Sequence, residues 1–240
     1  MRQGMIRFGN FIFKYRDLIF PWVLLGSILV SKPMFSAQYQ FYDSGLDLLG
    51  WMSALLGQSL RALTIGYEYI KRGGMNKKIY AEGLVTGGVF AHSRNPLYLG
   101  NLLVLFGLAF IANSCVVYGI AIPFFLFSYM ALISAEEEFL LKKFGGTYRD
   151  YCKVVNRFWP CWDGFRDTVR DIKFNWKRVV NKEHGSFFAW TVSAVLIHVW
   201  SQFYYQGPSA FKDCHSIGLL IFLGLSYACV RILKKRRLLN

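Results

Sequence analysis

The residues of this chain best suited to chemistry lie in two short stretches, Ser93-Arg94-Asn95-Pro96-Leu97-Tyr98 and Ser134-Ala135-Glu136-Glu137-Glu138. Each stands at the edge of a long apolar run. A permanent cation and an amide facing carboxylates can hold a zwitterionic small molecule. The guanidinium grips a carboxylate through charge-assisted bonds, and the acids accept from amino and hydroxyl groups. Both stretches also have plainer readings. Pro96 suits a first helical turn, Asn95 an N-cap, and Arg94 can reach lipid headgroups. Three acids at the end of a membrane helix need solvent or partners, and Lys142 and Lys143 follow directly. The choice turns on whether the two stretches meet.

They meet if the intervening apolar runs, 97–112 and 115–133, fold as a hairpin. Only Asn113-Ser114 joins them, and so short a connection forces an antiparallel helical pair. Four more apolar blocks lie at 18–30, 46–70, 187–203 and 217–233. A spanning helix needs about 20 mostly apolar residues. Of the 240 residues 54% are hydrophobic and 18% charged, against about 25% charged in a soluble domain. The expected fold class is an all-α integral membrane protein of about six transmembrane helices, with a short helical hairpin and cytoplasmic cofactor-covering helices. Three regions follow: 1–70 with two spans, a core at 71–160, and 161–240 with an amphipathic helix and two spans.

The net charge of +14 follows this topology. With a cytoplasmic N-terminus, 25 of the 28 Lys and Arg residues fall on the cytoplasmic side, Lys32 and Lys212 on the other, and Arg61 inside the second span. A nucleic-acid-binding protein would gather its basic residues on one folded face, so that class is set aside. Both termini are expected in the cytoplasm, in a bacterial inner membrane or an endoplasmic-reticulum-type membrane. A cleaved leader is the lesser alternative, because Met34-Phe35-Ser36-Ala37 is a poor small-residue site. The five cysteines form no CxxC pair and the four histidines show no ligand spacing, so no metal site is expected.

Several smaller features surround the two stretches. Gly83, Gly87 and Gly88 would let backbone approach a ligand closely. Gly145-Gly146 ends one helix, and Tyr148 and Tyr151 share a face of the next. Phe165, Val169, Ile172, Trp176 and Val179 recur at helical spacing among basic residues. That pattern predicts an interfacial helix on anionic lipid, or the same helix docked on the protein's own cytoplasmic face. Arg61 either snorkels or joins the site.

The residues LVTGGVFAHSRNPLYLG, followed by AEEEFLLKKFGGTYRDYCKVVNRFWP, resemble the integral-membrane isoprenylcysteine carboxyl methyltransferase family and its phospholipid N-methyltransferase relatives. The likeness runs from about Glu82 to Pro160. It implies S-adenosylmethionine as methyl donor. It also implies a cofactor wall of Glu82, Gly83, Leu84, Val85, Phe90, Arg94, Asn95, Pro96, Leu97 and Tyr98, with Glu136 accepting from the cofactor. Tyr151 and Arg157 are substrate-side candidates. The acceptor implied is a membrane lipid or lipidated small molecule, with carboxylate O-methylation favoured by the family and phospholipid amine N-methylation as the alternative. An amine must first lose a proton, which makes Glu137 and Tyr148 the candidate bases. Asn95 stands where the family usually has His, Phe90 where it has Tyr, and Leu132 where the eukaryotic enzymes carry a substrate-binding Arg. Two other classes stay open: a nicotinamide-dependent sterol-type reductase, and a noncatalytic lipid-binding protein on the same scaffold.

Overall fold

The computed structural model describes residues 2–34, 40–68, 72–75 and 78–236. Ile70, Arg237 and the segment 35–37, which bear on the expected second span, C-terminal anchor and leader site, lie outside them. The described residues form α1 (Arg2–Leu29), α2 (Gln40–Tyr67), α3 (Pro96–Ala112), α4 (Ile122–Val154), α5 (Phe165–Asp171), α6 (Trp176–Gln206) and α7 (Cys214–Lys235). A two-stranded hairpin, β1 (Arg72–Met75) and β2 (Lys78–Ala81), precedes α3.

Glycines set the packing. A Cβ at Gly57 would lie 2.5 Å from the Gly100 carbonyl oxygen, and one at Gly107 would lie 2.5 Å from that of Gly50. The seven-residue spacing on each helix keeps these contacts on one seam, so α2 and α3 run antiparallel at very close range. Likewise α1 crosses α4 at Gly9, where a Cβ would meet the Ala131 oxygen at 2.1 Å. Ile12 and Phe13 are buried there with Leu132 and Ile133. That burial carries α1 back to Arg2, well before the apolar block expected at 18–30. Pro21 lies inside α1 without ending it.

The α3–α4 turn forms as expected. Asn113 adopts the left-handed conformation (φ 41°) that asparagine tolerates, and its amide donates to Asp43 Oδ1 at 2.8 Å. Helix α4 follows a π-helical turn at Val117–Ala121 and kinks at Gly145 (φ 53°), where the sequence places a helix end. Its 33 residues extend roughly 50 Å, beyond a ~30 Å hydrocarbon layer.

Two features depart from the sequence reading. The β-hairpin was not anticipated, since four-residue strands are too short to show a period. It is fixed by Ala81, buried against Leu140 and Tyr148, and by Lys143 Nζ donating to the Ala81 oxygen. The helix expected across 165–179 is broken. Helix α5 ends at Asp171 and α6 begins at Trp176, because Phe174 seats over Gly66 and stacks edge-on to Tyr67 at 5.1 Å. His92 Nε2 shares a 2.9 Å hydrogen bond with Thr168 Oγ1, which docks α5 on the protein's own face.

Helix directions alternate. Arg2 bonds Glu138, Tyr98 bonds Glu136, Arg61 bonds Glu183 and Lys234 bonds the Asn181 oxygen. The starts of α1, α3 and α6 therefore share one end of the bundle with the ends of α2, α4 and α7. Among the described residues, two helical stretches, Val117–Val154 and Cys214–Lys235, are long and apolar enough to cross a membrane unaided. Helix α3 is apolar but has 17 residues.

Candidate functional site

Successive residues on a helix point about 100° apart, so the three acids of α4 have three fates. Glu138 faces outward and pairs with Arg2 at 3.1 Å and Lys142 at 3.4 Å. Glu137 points at Arg157, whose Nε donates to it at 3.1 Å, with Arg94 Nη1 3.5 Å away. Hydrogen bonding to Glu137 raises the Arg157 guanidinium above its ordinary value, against the opposing effect of burial. Glu136 is buried and accepts from the Tyr98 hydroxyl at 2.6 Å. The two expected stretches thus meet across the hairpin.

The loop before α3 is held by the segment after α4. The Arg94 amide donates to the Asn156 oxygen at 2.9 Å, and the Cys161 amide to the His92 oxygen at 2.9 Å. Ser93 Oγ donates to the Phe158 oxygen at 3.2 Å, and Asn95 Nδ2 to the Arg157 oxygen at 3.2 Å. His92 Nδ1 lies 2.7 Å from the Cys161 oxygen. Asn95 occupies the N-cap position but makes no side-chain cap bond; its amide serves the clamp instead. The Tyr151 hydroxyl closes the other edge by donating to the Phe90 oxygen at 2.7 Å.

Inside this clamp lies a cavity of about 370 Å³. Phe90, Leu97 and Tyr98 form its apolar walls, and Arg94, Asn95 and Glu136 line its polar side. Arg16, Arg61, Asn101 and Ser186 complete it from α1, α2, α3 and α6. Arg94 Nε is buried without a hydrogen-bond partner, while Nη1 donates to Cys152 Sγ at 2.7 Å. A larger cavity of about 520 Å³ between α1, α6 and α7 shares no residue with this cluster.

The remaining sequence-selected residues lie elsewhere. Glu82 and Gly83 are exposed, and Leu84 packs beside the Ala81–Tyr148 cluster. With Val85 and the fully buried Pro96, they stand outside the cavity wall. Gly88 does need its positive φ of 55°, but the close approach it permits is to Glu68 Cβ, 2.9 Å from a built Cβ. Tyr148 is buried in the apolar cluster with Leu140, and its ring lies 6.2 Å from that of Tyr151. Tyr148, Tyr151, Glu137 and Arg157 support the wall from behind rather than face the cavity. Leu132 is wholly buried beneath α1.

Sequence reasoning missed Glu183. Arg61 does not snorkel: it donates through Nε and Nη2 to both oxygens of buried Glu183, at 2.7 and 2.8 Å, and through Nη1 to Asn101. Gln58 Nε2 adds a third bond to Glu183 at 3.0 Å, and Gln58 Oε1 accepts from Trp190 Nε1 at 2.9 Å. This network ties α6 to the cavity wall. Among the described residues no cluster of three or more His, Cys, Asp or Glu could hold a metal ion.

The phospholipid methyltransferase family model matches residues 48–147, which contain α3, most of α2, the hairpin turn and the three acids. The cobalt-zinc-cadmium resistance protein CzcN of Cupriavidus metallidurans is 30% identical over 115 residues, covering 46% of this chain and 51% of that protein. The chain thus spans about half the length of this curated relative. No solved structure matches the chain. Residues 48–147, with both chemistry-bearing stretches inside them, are thus similar to the phospholipid methyltransferase family.

Proposed function

We propose that the chain is an integral-membrane methyltransferase that takes S-adenosylmethionine from the cytoplasm and methylates a lipid-like acceptor. The observation that carries this is the cavity in which Arg94, Asn95, Tyr98 and Glu136 converge, with the Arg94 Nε–H buried and unpartnered. Its volume falls within the ~300–1,000 Å³ of small-molecule sites. Its donor set suits an amino-acid carboxylate, ribose hydroxyls and an aromatic base together. S-adenosylmethionine supplies a methyl group on a positively charged sulfur, which an acceptor lone pair takes as the bonding electrons stay with sulfur.

The chain's own residues do the rest. Arg94 and Arg16 bind the carboxylate through charge-assisted bonds. Glu136 accepts from hydroxyl or amino groups and contributes a negative charge that favours a sulfonium. Phe90 and Leu97 exclude water and hold the base. Glu137 is committed to Arg157 and Arg94, and Tyr148 stands behind the wall. Of the three acids Glu136 lines the cavity, and an amine acceptor would give up its proton there.

Membrane embedding is supported by the outward apolar faces, among them Trp22 and Leu25 on α1, Met52 and Leu56 on α2, and Phe222 and Leu225 on α7. The basic excess marks the end bearing the cavity as cytoplasmic, with six helices crossing and both termini there.

Calorimetry on detergent-purified protein tests the reading. S-adenosylhomocysteine should bind and NADPH should not. Glu136→Ala and Asn95→Ala should each weaken binding at least tenfold, about 1.4 kcal/mol, while Glu138→Ala should leave it unchanged. Unaltered affinity in both cavity variants, with folding intact, overturns the assignment.

A further inference from the structure

On another flank of α4 lies a hollow of about 490 Å³, bounded by α1, α4 and β2, that shares no residue with the first cavity. Its floor is apolar: Phe13 and Ala135 are buried there, and Ile79 of β2 closes one side. Its rim is polar, made by Asn10 and Lys14 of α1 and by Glu138 and Lys142 of α4. Glu138 is held by both Arg2, at 3.1 Å, and Lys142, at 3.4 Å, so one acid is matched by two cations. Lys14 adds another. Its amine lies 4.9 Å from the centre of the Tyr15 ring, and among the described residues it makes no ion pair. Three cations against one carboxylate leave this rim positive.

We propose that this hollow binds the phosphate head of an anionic membrane lipid of the cytoplasmic leaflet, between Lys14 and Lys142, with the Asn10 amide as a neutral donor. The site stands apart from methyl transfer and uses only the embedding of α1 and α4 in the bilayer. Charge selects the head, because a basic pocket between helices at the cytoplasmic side attracts anionic headgroups and lysine amines bind phosphate as point charges. Depth selects a lipid as its carrier. Leu18 and Leu25 continue the Lys14 face of α1, about one and about three turns further on, and both are exposed. The boundary between polar and apolar surface on that face therefore falls just past Lys14. Side chains on a helix lean toward its N-terminus, which brings the Lys14 amine up to the rim where Lys142 stands. A lipid can then set its phosphate in the hollow while its acyl chains run down the leucine face in hydrocarbon.

The test is native mass spectrometry of the full chain released from nanodiscs that hold equal amounts of phosphatidylglycerol and phosphatidylcholine with the same acyl chains. The native chain should retain phosphatidylglycerol over phosphatidylcholine by about fivefold or more, the preference one basic residue provides at an anionic surface. Lys14→Gln/Lys142→Gln should remove that preference. So should Asn10→Trp, which keeps every charge and fills the hollow. Lys173→Gln/Lys177→Gln takes as much charge from the same end of the molecule and should leave the preference intact. Equal retention of the two lipids by the native chain overturns the anionic head. Equal loss in the two glutamine pairs shows that bulk surface charge attracts the lipid, and overturns the site, as does a preference that survives Asn10→Trp. Millimolar glycerol 3-phosphate should not displace the retained phosphatidylglycerol; displacement would mean that a soluble phosphate suffices, and overturns the lipid as its source. All the substituted side chains are exposed, and unchanged unfolding midpoints check that each variant is folded.

Discussion

Helices α3 and α7 are both short and apolar, yet they sit in the molecule very differently. Nine of the 17 residues of α3 are buried, whereas of the 22 in α7 only Leu223 is. Helix α3 lies backbone to backbone on α2 through paired glycines. Helix α7 rests on α6 through side chains, chiefly Tyr227 stacked on Phe188 at 4.5 Å and Lys234 bonded to the Asn181 oxygen at 3.3 Å. The family-matched core thus depends on the absence of side chains at a seam. The C-terminal pair depends on a few side chains, and its charged, buried tie to the core is Glu183, beside the Trp190–Gln58 and His198–Asp47 bonds.

The strongest way to break this comparison is to cut that tie. Arg61→Ala leaves Glu183 buried without its cation, and Glu183→Ala strands Arg61. Each should cost about 3–5 kcal/mol of stability, as expected for removing one member of a buried pair. The double variant Arg61→Met/Glu183→Leu should recover much of it. Unfolding midpoints in mixed micelles measure all three. Losses below about 1 kcal/mol in both single variants would show that the pair is solvated and that the core and the C-terminal helices are not joined through it.

A smaller effect separates the two kinds of packing directly. A Cβ at Gly57 meets backbone oxygen at 2.5 Å and Leu103 Cβ at 2.9 Å, whereas one at Gly218 in α7 meets nothing within 4 Å. Gly57→Ala should destabilise by about 1–3 kcal/mol through overpacking. Gly218→Ala should be neutral or stabilise by up to about 1 kcal/mol, from helix propensity. Similar losses in both would mean that α7 is covered by something the isolated chain lacks.

What could be read from the sequence follows the same division. The meeting of Arg94 with Glu137, at 3.5 Å, was legible because Asn113-Ser114 leaves the hairpin no other geometry. The clamp of His92–Asn95 by 156–161 was not, since each of its bonds ends on a backbone group of 156–161, where residue type carries no mark of the contact. Nor was Glu183: 122 positions separate it from Arg61, and a lone acid in Lys-Glu-His-Gly carries no mark of its partner. The break at 172–175 escaped for a related reason. Apolar spacing runs straight through it, and the turn is selected by the vacancy over Gly66, filled by Phe174, together with Asn175 capping α6. Local constraint was visible, and long-range complementarity was not.

The smallest expected effect sharpens the comparison at the loose end of α7. Asp213 caps that helix, accepting from the Ser216 amide at 2.9 Å and the His215 amide at 3.3 Å. The Ser216 side chain and amide, then His215, hold its carboxyl down at about 2. The unfolded chain protonates near the ordinary value of about 3.9, so the unfolded state binds the proton more tightly. The cap's contribution is therefore complete above pH ~4 and fades as pH falls toward 2. Amide exchange at His215 and Ser216, corrected for intrinsic rates, should accelerate over that window in the native chain. In Asp213→Asn, whose side-chain oxygen still accepts but does not titrate, the same amides should show a flat profile. Exchange at the α3 seam, around Gly107, should not respond in either protein, because no carboxylate stands at that contact. A pH response shared by α3 and α7 would mean that the two helices open as one unit, and that the contrast between seam and side-chain packing does not govern their stability.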